Sequence, residues 1–257
     1  MRIVYFIALQ MLREARHNKL GWLFALVLVS GLGLCEYISS VALIEAEQFQ
    51  LAIYSNVMRW AAAIVLLQFV VSSLGREFNE KGADYLLAMP MSRWQYLLGK
   101  ALGIVLLSLL MAALIALVLL LYQPGAASLI WVGSLAMELL VLGCFALFVS
   151  ISLQNPALAA AVVIAFYVLC RALSSIELLA SQPLVSHSGV AQQFMAGLTE
   201  WLSYLLPALY QFAQTEWLLY PSLAANLTAL AHNAAQCLVY CTLLLGAAGF
   251  DLYRKSL

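Results

Sequence analysis

Six long apolar runs dominate the chain, at 20–43, 53–74, 101–122, 129–151, 157–179 and 230–250. A helix rises about 1.5 Å per residue, so each run is long enough to cross the roughly 30 Å hydrocarbon layer of a bilayer. The third run is the cleanest, with no charge between Ala101 and Gln123. Pro124-Gly125 and Gln154-Asn155-Pro156 read as tight turns between successive spans. The pattern predicts an all-α polytopic membrane protein: one transmembrane domain over residues 1–257 with six membrane-spanning helices.

Two other stretches depart from the spanning pattern. Over residues 1–19, Ile3, Phe6, Ile7, Gln10, Met11 and Glu14 follow a helical period, with Arg2, Arg13 and Arg16 available to reach phosphates. That spacing predicts an amphipathic helix lying in the membrane interface. Residues 180–229 are too apolar for a solvated loop, yet Pro183, Pro207, Pro221 and Glu200 break them below spanning length. They predict short interfacial or re-entrant helices before the last span, with Trp201, Tyr204, Tyr210, Trp217 and Tyr220 as interfacial aromatics. Irregular backbone at that depth requires cover from protein.

Composition agrees with this class, at 65% hydrophobic and 9% charged residues, against about 25% charged in soluble domains. The net charge is zero, but its signs are segregated. Arg2, Arg13, Arg16 and Lys19 precede the first span; Arg76, Lys81, Arg93 and Lys100 follow the second; Arg254 and Lys255 follow the sixth. Six spans place all three groups on one side, which the positive-inside rule makes cytoplasmic, together with both termini. The opposite connections hold Glu45, Glu47, Glu200 and Glu216 and no lysine or arginine. The five cysteines all lie in apolar stretches, so no disulfide framework is expected. Cys237 and Cys241 share a helix face without a histidine or carboxylate to complete a ligand set, and His17, His187 and His232 are far apart. No catalytic, cofactor or metal residue is therefore assigned.

The segment 75–100 is the one strongly charged stretch, with four of the twelve basic and three of the twelve acidic side chains. Its first part is helical in pattern and stops at Met89-Pro90, because proline disfavours helix at the preceding residue. Ser92 with Gln95 three residues on is a capping-box spacing that starts a new helix into the third span. Phe78, Tyr85, Leu86, Leu87, Met89 and Trp94 stand among the charges, and apolar anchors ringed by charge are the anatomy of a docking surface. An interfacial helix resting on headgroups is the competing reading.

The series Glu77, Gly82, Leu87, Met89-Pro90-Met91-Ser92-Arg93-Trp94 and Gly99-Lys100 resembles the segment after the second span of ABC-2 type permeases. The amphipathic arm, the six spans and the interrupted outer segment extend the resemblance over the whole chain. It implies that 75–100 holds a cytoplasmic coupling helix docking on a nucleotide-binding ATPase subunit, with Glu77, Tyr85, Leu87, Arg93 and Trp94 as contacts. It also implies a second permease copy, most simply an identical one, in a bacterial cytoplasmic membrane, with ATP and magnesium held by the partner chain. No Gly-x-x-x-x-Gly-Lys-(Ser/Thr) occurs here. The chain is thus expected to be a non-catalytic subunit whose other contacts are with lipid, and no nucleic-acid partner is expected.

Four charges fall well within predicted spans, Glu36, Arg59, Glu138 and Arg171, while Glu177 lies at the outer end of the fifth. Charges at such depth face protein or a water-filled cavity and find partners. Glu138 with Arg171 is the preferred pair, because the fourth and fifth spans are consecutive. It reads either as a clamp on the bundle or as a polar lining of a translocation path. The leading function is the permease subunit of an ATP-driven exporter. The alternatives are a mechanical transmitter relaying ATP hydrolysis to an outer partner and a stand-alone ion-coupled transporter using Glu138.

Overall fold

The computed structural model describes residues 2–18, 20–41, 46–79, 92–153, 155–181, 197, 206–220 and 223–254. Regular structure among them is helical throughout: α1 (Arg2–His17), α2 (Leu20–Val41), α3 (Ala46–Asn79), α4 (Arg93–Tyr122), α5 (Ala126–Leu153), α6 (Pro156–Ser181), a 3-10 turn (Leu209–Gln211), α7 (Glu216–Leu219) and α8 (Leu223–Arg254). Five helices are long and apolar enough to cross a membrane. A sixth span is reached if α1 and α2, bent by 61° from one another, count as one.

Local chemistry explains where the helices begin. The Ser92 side chain accepts the Gln95 N–H, and the Gln95 side chain accepts the Ser92 N–H, forming the capping box. Helix α4 therefore starts at Arg93, well before the apolar run that predicts it. Asn155 Oδ1 accepts the N–H groups of Ala157 and Leu158 at the start of α6, with Pro156 in the first helical position, where its missing N–H costs nothing. Helices α3 and α8 have 34 and 32 residues. At about 1.5 Å per residue they exceed the hydrocarbon layer and carry their charged ends beyond it.

Helix α5 is the hub, packed against α3, α4, α6 and α8. It is apolar on all sides, as a helix surrounded by protein must be, and Trp131, Leu135, Leu139, Leu142 and Ala146 are fully buried. Gly143 lets Ile104 of α4 approach its backbone; a Cβ there has no room.

Helix α1 departs from the sequence expectation of an apolar face given to lipid. Ile7, Met11 and Ala15 are buried, and a Cβ at Gly99 or Gly103 of α4 would lie 2.8 Å from the Ile7 Cβ or 2.7 Å from the Met11 sulfur. The two glycines, four apart, form the seat of α1. Glu14 accepts hydrogen bonds from Ser73 and Arg76 of α3, both at 2.8 Å. Ile3, Tyr5 and Phe6 stay exposed. The period of α1 is amphipathic as read, but protein takes one part of the apolar face and leaves the other.

These contacts gather α1, the end of α3, the start of α4, the start of α6 and the ends of α5 and α8 at one end of the bundle. There Gly75 meets Pro156 and Ser152 donates to Asp251. Arg13, Arg16, Arg76, Arg93, Lys100 and Arg254 all lie at this end, called the basic end below. Arg2 begins α1, and Arg59 and Arg171 are buried or nearly so.

Replacing Gly99 with leucine is expected to unseat α1, at the roughly 1–3 kcal/mol typical of overpacking. Thermal unfolding in detergent and hydrogen exchange over residues 3–17 check this. Gly33→Ala, at a position with open space around it, is the control and should leave both unchanged.

Candidate functional site

Two groups of polar side chains stand out against the apolar bundle, and α3 carries a member of each. The first is at the basic end. Glu77, in the last turn of α3, pairs with Lys100 of α4 and accepts the Tyr96 hydroxyl at 2.7 Å. Lys100 and Tyr96 are buried, and the Lys100 ammonium lies 5.9 Å from the Tyr96 ring centroid. This buried pair ties α3 to α4 at the base of the charged segment. Arg93 Nη1 donates to the Leu252 carbonyl at 2.7 Å and the Tyr253 carbonyl at 3.1 Å. It thereby satisfies end carbonyls of α8 that no helical N–H can reach, with its guanidinium 5.8 Å from the Tyr253 ring. The Trp94 ring lies over Gly249, where a Cβ would come within 2.5 Å of it, and is still 53% exposed.

Of the five residues expected on the docking surface, Glu77 and Arg93 thus direct their charges into the chain's own helices. Trp94 has a free face, while Tyr85 and Leu87 lie outside the described residues. The Gly99-Lys100 dipeptide gains a physical account: Gly99 seats Ile7 of α1, and Lys100 neutralises Glu77.

The second group lies in the interior. Glu138 is fully buried, with Arg171 Nη1 3.6 Å from its carboxylate, and Arg59 is close enough to feel both charges. The structure therefore brings together Arg59, Glu138 and Arg171, from α3, α5 and α6. The fourth intramembrane charge stands apart: Glu36 is exposed on α2 and accepts the Tyr122 hydroxyl at 2.9 Å.

The two arginines do more than face a carboxylate. Arg59 Nη1 donates to the Ala213 carbonyl at 2.8 Å, and Arg171 Nη1 to the Leu209 carbonyl at 2.8 Å and the Phe212 carbonyl at 3.4 Å. Asn233 of α8 donates to the Gln211 carbonyl at 3.1 Å and to Ser134 Oγ at 3.2 Å, while Ser134 accepts the Ala213 N–H at 3.0 Å. Residues 209–213 are thus an inlay, a 3-10 turn and the two residues after it, whose carbonyls are held by side chains from neighbouring helices. Ser134 lies about 12 Å along α5 from Ala126 at 1.5 Å per residue, so the inlay reaches well into the bundle. Ala213 adopts φ 45°, a left-handed conformation that costs a residue with a Cβ roughly 1–2 kcal/mol. Its N–H and carbonyl are both held, which keeps it there.

The interrupted outer segment therefore differs from the interfacial reading in one respect. Leu209, Phe212, Trp217 and Leu218 are buried in protein, and Gln123 donates to the Leu218 carbonyl at 2.9 Å. Tyr220 is exposed, as an interfacial aromatic would be; Trp201 and Tyr204 lie outside the described residues. Ser134 and Asn233 carry no signal in the sequence, where a lone serine or asparagine in an apolar run is an ordinary occurrence. The Cys237 and Cys241 sulfurs stand 3.9 Å apart, and no cluster of three or more metal-ligating side chains occurs among the described residues.

Compared with known proteins, the chain matches no family model and no curated protein.

Loss of Arg171 alone (Arg171→Met) leaves the Glu138 carboxylate buried without its ion-pair partner, and a loss of about 3–5 kcal/mol is expected. Exchanging the two charges, Glu138→Arg with Arg171→Glu, should not restore assembly. A carboxylate at 171 restores a pair but cannot donate to the Leu209 and Phe212 carbonyls. Size-exclusion profiles and thermal unfolding of the single and swapped variants decide this; a recovered swap would reduce the arginine's role to an ion-pair clamp.

Proposed function

We propose that this chain is the membrane-spanning subunit of an ATP-driven transporter of the ABC-2 permease type, working as an exporter. A separate nucleotide-binding subunit docks on the charged segment between α3 and α4 and hydrolyses ATP there with magnesium. A second copy of the chain completes the membrane part in a bacterial cytoplasmic membrane, with the basic end and both termini in the cytoplasm.

The observation that carries this reading is the construction of the base of that segment. The charged segment joins two long helices whose facing ends are tied by the buried Glu77–Lys100 pair and the Tyr96 hydroxyl bond. A loop that only rested on headgroups would have no need of a stem fixed at such a desolvation cost. A lever that must move its helices would. Arg93 and Trp94 extend the same stem to the end of α8. In this reading Tyr85, Leu87 and the free face of Trp94 form the contact with the ATPase, and Glu77 and Arg93 position it.

Closure of two ATPase subunits on ATP would draw the two segments together. Helix α3 then carries the movement, being continuous from Glu77 to Arg59, a span of about 27 Å at 1.5 Å per residue. Arg59 holds the Ala213 carbonyl, so a shift of α3 acts directly on the inlay at the opposite, outward end. The inlay is the outer gate.

Affinity purification of the solubilised protein should recover an ATP-binding subunit in stoichiometric amount, identified by mass spectrometry and ATPase assay. Tyr85→Ala with Leu87→Ala should weaken that association by roughly 30-fold, the effect of losing about 2 kcal/mol at an interface anchor. Glu77→Gln should keep the partner while lowering transport-coupled ATP turnover. A protein that purifies without any ATPase and is indifferent to all three substitutions would overturn the proposal.

A further inference from the structure

Helices α2 and α3 meet closely only over part of their length. Gly31 faces Met58 with no room for a Cβ, and the Cys35 thiol reaches the Gln50 carbonyl at 3.6 Å. Toward the basic end the two helices enclose an open groove of about 1120 Å³, with buried Phe69 in its wall. On α2 the wall is apolar: Trp22, Leu26 and Val29 are 79%, 68% and 68% exposed. On α3 it is a polar ladder at four-residue spacing, Gln68, Ser72 and Arg76.

An amide side chain turned toward plain hydrocarbon loses its hydrogen bonds at a cost of several kcal/mol on the apolar-solvent scale, about 4–8. Gln68 is exposed in this groove, so the occupant that fits carries polar groups along one side and hydrocarbon along the other. Arg76 closes the ladder at the mouth. It donates through Nη1 to Asn18 at 2.7 Å and through Nη2 to Glu14 at 2.8 Å, and its side chain remains 45% exposed. A guanidinium has five N–H donors, so some remain for a ligand. Arg76 is the charged side chain among the residues that line the groove. From Trp22 to Ser30 the α2 wall runs about 12 Å at 1.5 Å per residue, within the roughly 15 Å of one leaflet.

The geometry points to this groove as a binding site for an anionic phospholipid of the leaflet at the basic end, with its phosphate at Arg76 and Asn18 and its acyl chains along Trp22, Leu26 and Val29. A zwitterionic lipid would bring its own ammonium close to the same guanidinium, whereas an anionic one brings no cation. The site requires only that the chain lies in a membrane, so it stands or falls separately from the transport reading.

The test is native mass spectrometry of the full chain released from micelles holding equal amounts of phosphatidylglycerol and phosphatidylcholine. The wild type should retain one phosphatidylglycerol per chain, with a preference of roughly tenfold over phosphatidylcholine. Arg76→Gln should abolish the preference. Val29→Trp, which fills the groove and leaves the Arg76 contacts intact, should lower occupancy by both lipids, and Arg254→Gln on α8 should change nothing. Full phosphatidylglycerol binding by Val29→Trp would overturn the assignment even if Arg76→Gln proved too unstable to study. Equal retention of the two lipids by the wild type would also overturn it. So would quantitative disulfide formation between two copies of Leu26→Cys in phosphatidylglycerol membranes, which would give the groove to a second chain.

Discussion

Backbone polar groups in an apolar bundle must find partners, and the carbonyls of Gln211, Phe212 and Ala213 find theirs in side chains rather than in a helix. The described structure at this end follows from how that requirement is met. Carbonyls at Leu209, Gln211, Phe212 and Ala213 are taken by Arg171, Asn233 and Arg59, and the Ala213 N–H by Ser134. Two guanidiniums buried for this purpose need a counter-charge, and Glu138 supplies it from the central helix. Remove the inlay, and two buried arginines lose their acceptors. Remove the arginines, and irregular backbone is stranded where no water reaches it.

The same helices connect this inlay to the basic end. Helix α3 holds Arg59 in the interior and Glu77 in its last turn; α4 holds Lys100 and seats α1 on Gly99 and Gly103. Glu14 of α1 then returns to Ser73 and Arg76 of α3. A push on the segment between α3 and α4 meets a braced stem rather than a loose loop. Packed helices have few intermediate arrangements to adopt, so such a stem passes displacement along its axis instead of absorbing it.

Much of this was legible in the sequence. Apolar run length gave the spans, because spanning sets a length. The Ser92–Gln95 capping box follows from side chains acting on their own neighbours and occurs as read; Asn155, read as part of a turn, also caps the helix that follows it. The meeting of Glu138 with Arg171 could be anticipated because an isolated charge in an apolar run demands a partner. That both arginines grip carbonyls of a third segment could not, since backbone acceptors leave no mark on residue identity. The seat of α1 was hidden for a related reason. A helical period tells which side of α1 is apolar, but Gly99 and Gly103 decide that protein covers it.

Hydrogen exchange over residues 209–213, measured in a complex with the proposed ATPase subunit, tests the link between the two ends most directly. Protection of these amides should differ between the nucleotide-free state and a state trapped with ATP and vanadate, because α3 carries Arg59 with it. Exchange that is identical in the two states, in a complex shown to hydrolyse ATP, would contradict the account and leave the arginine–carbonyl inlay as a static plug.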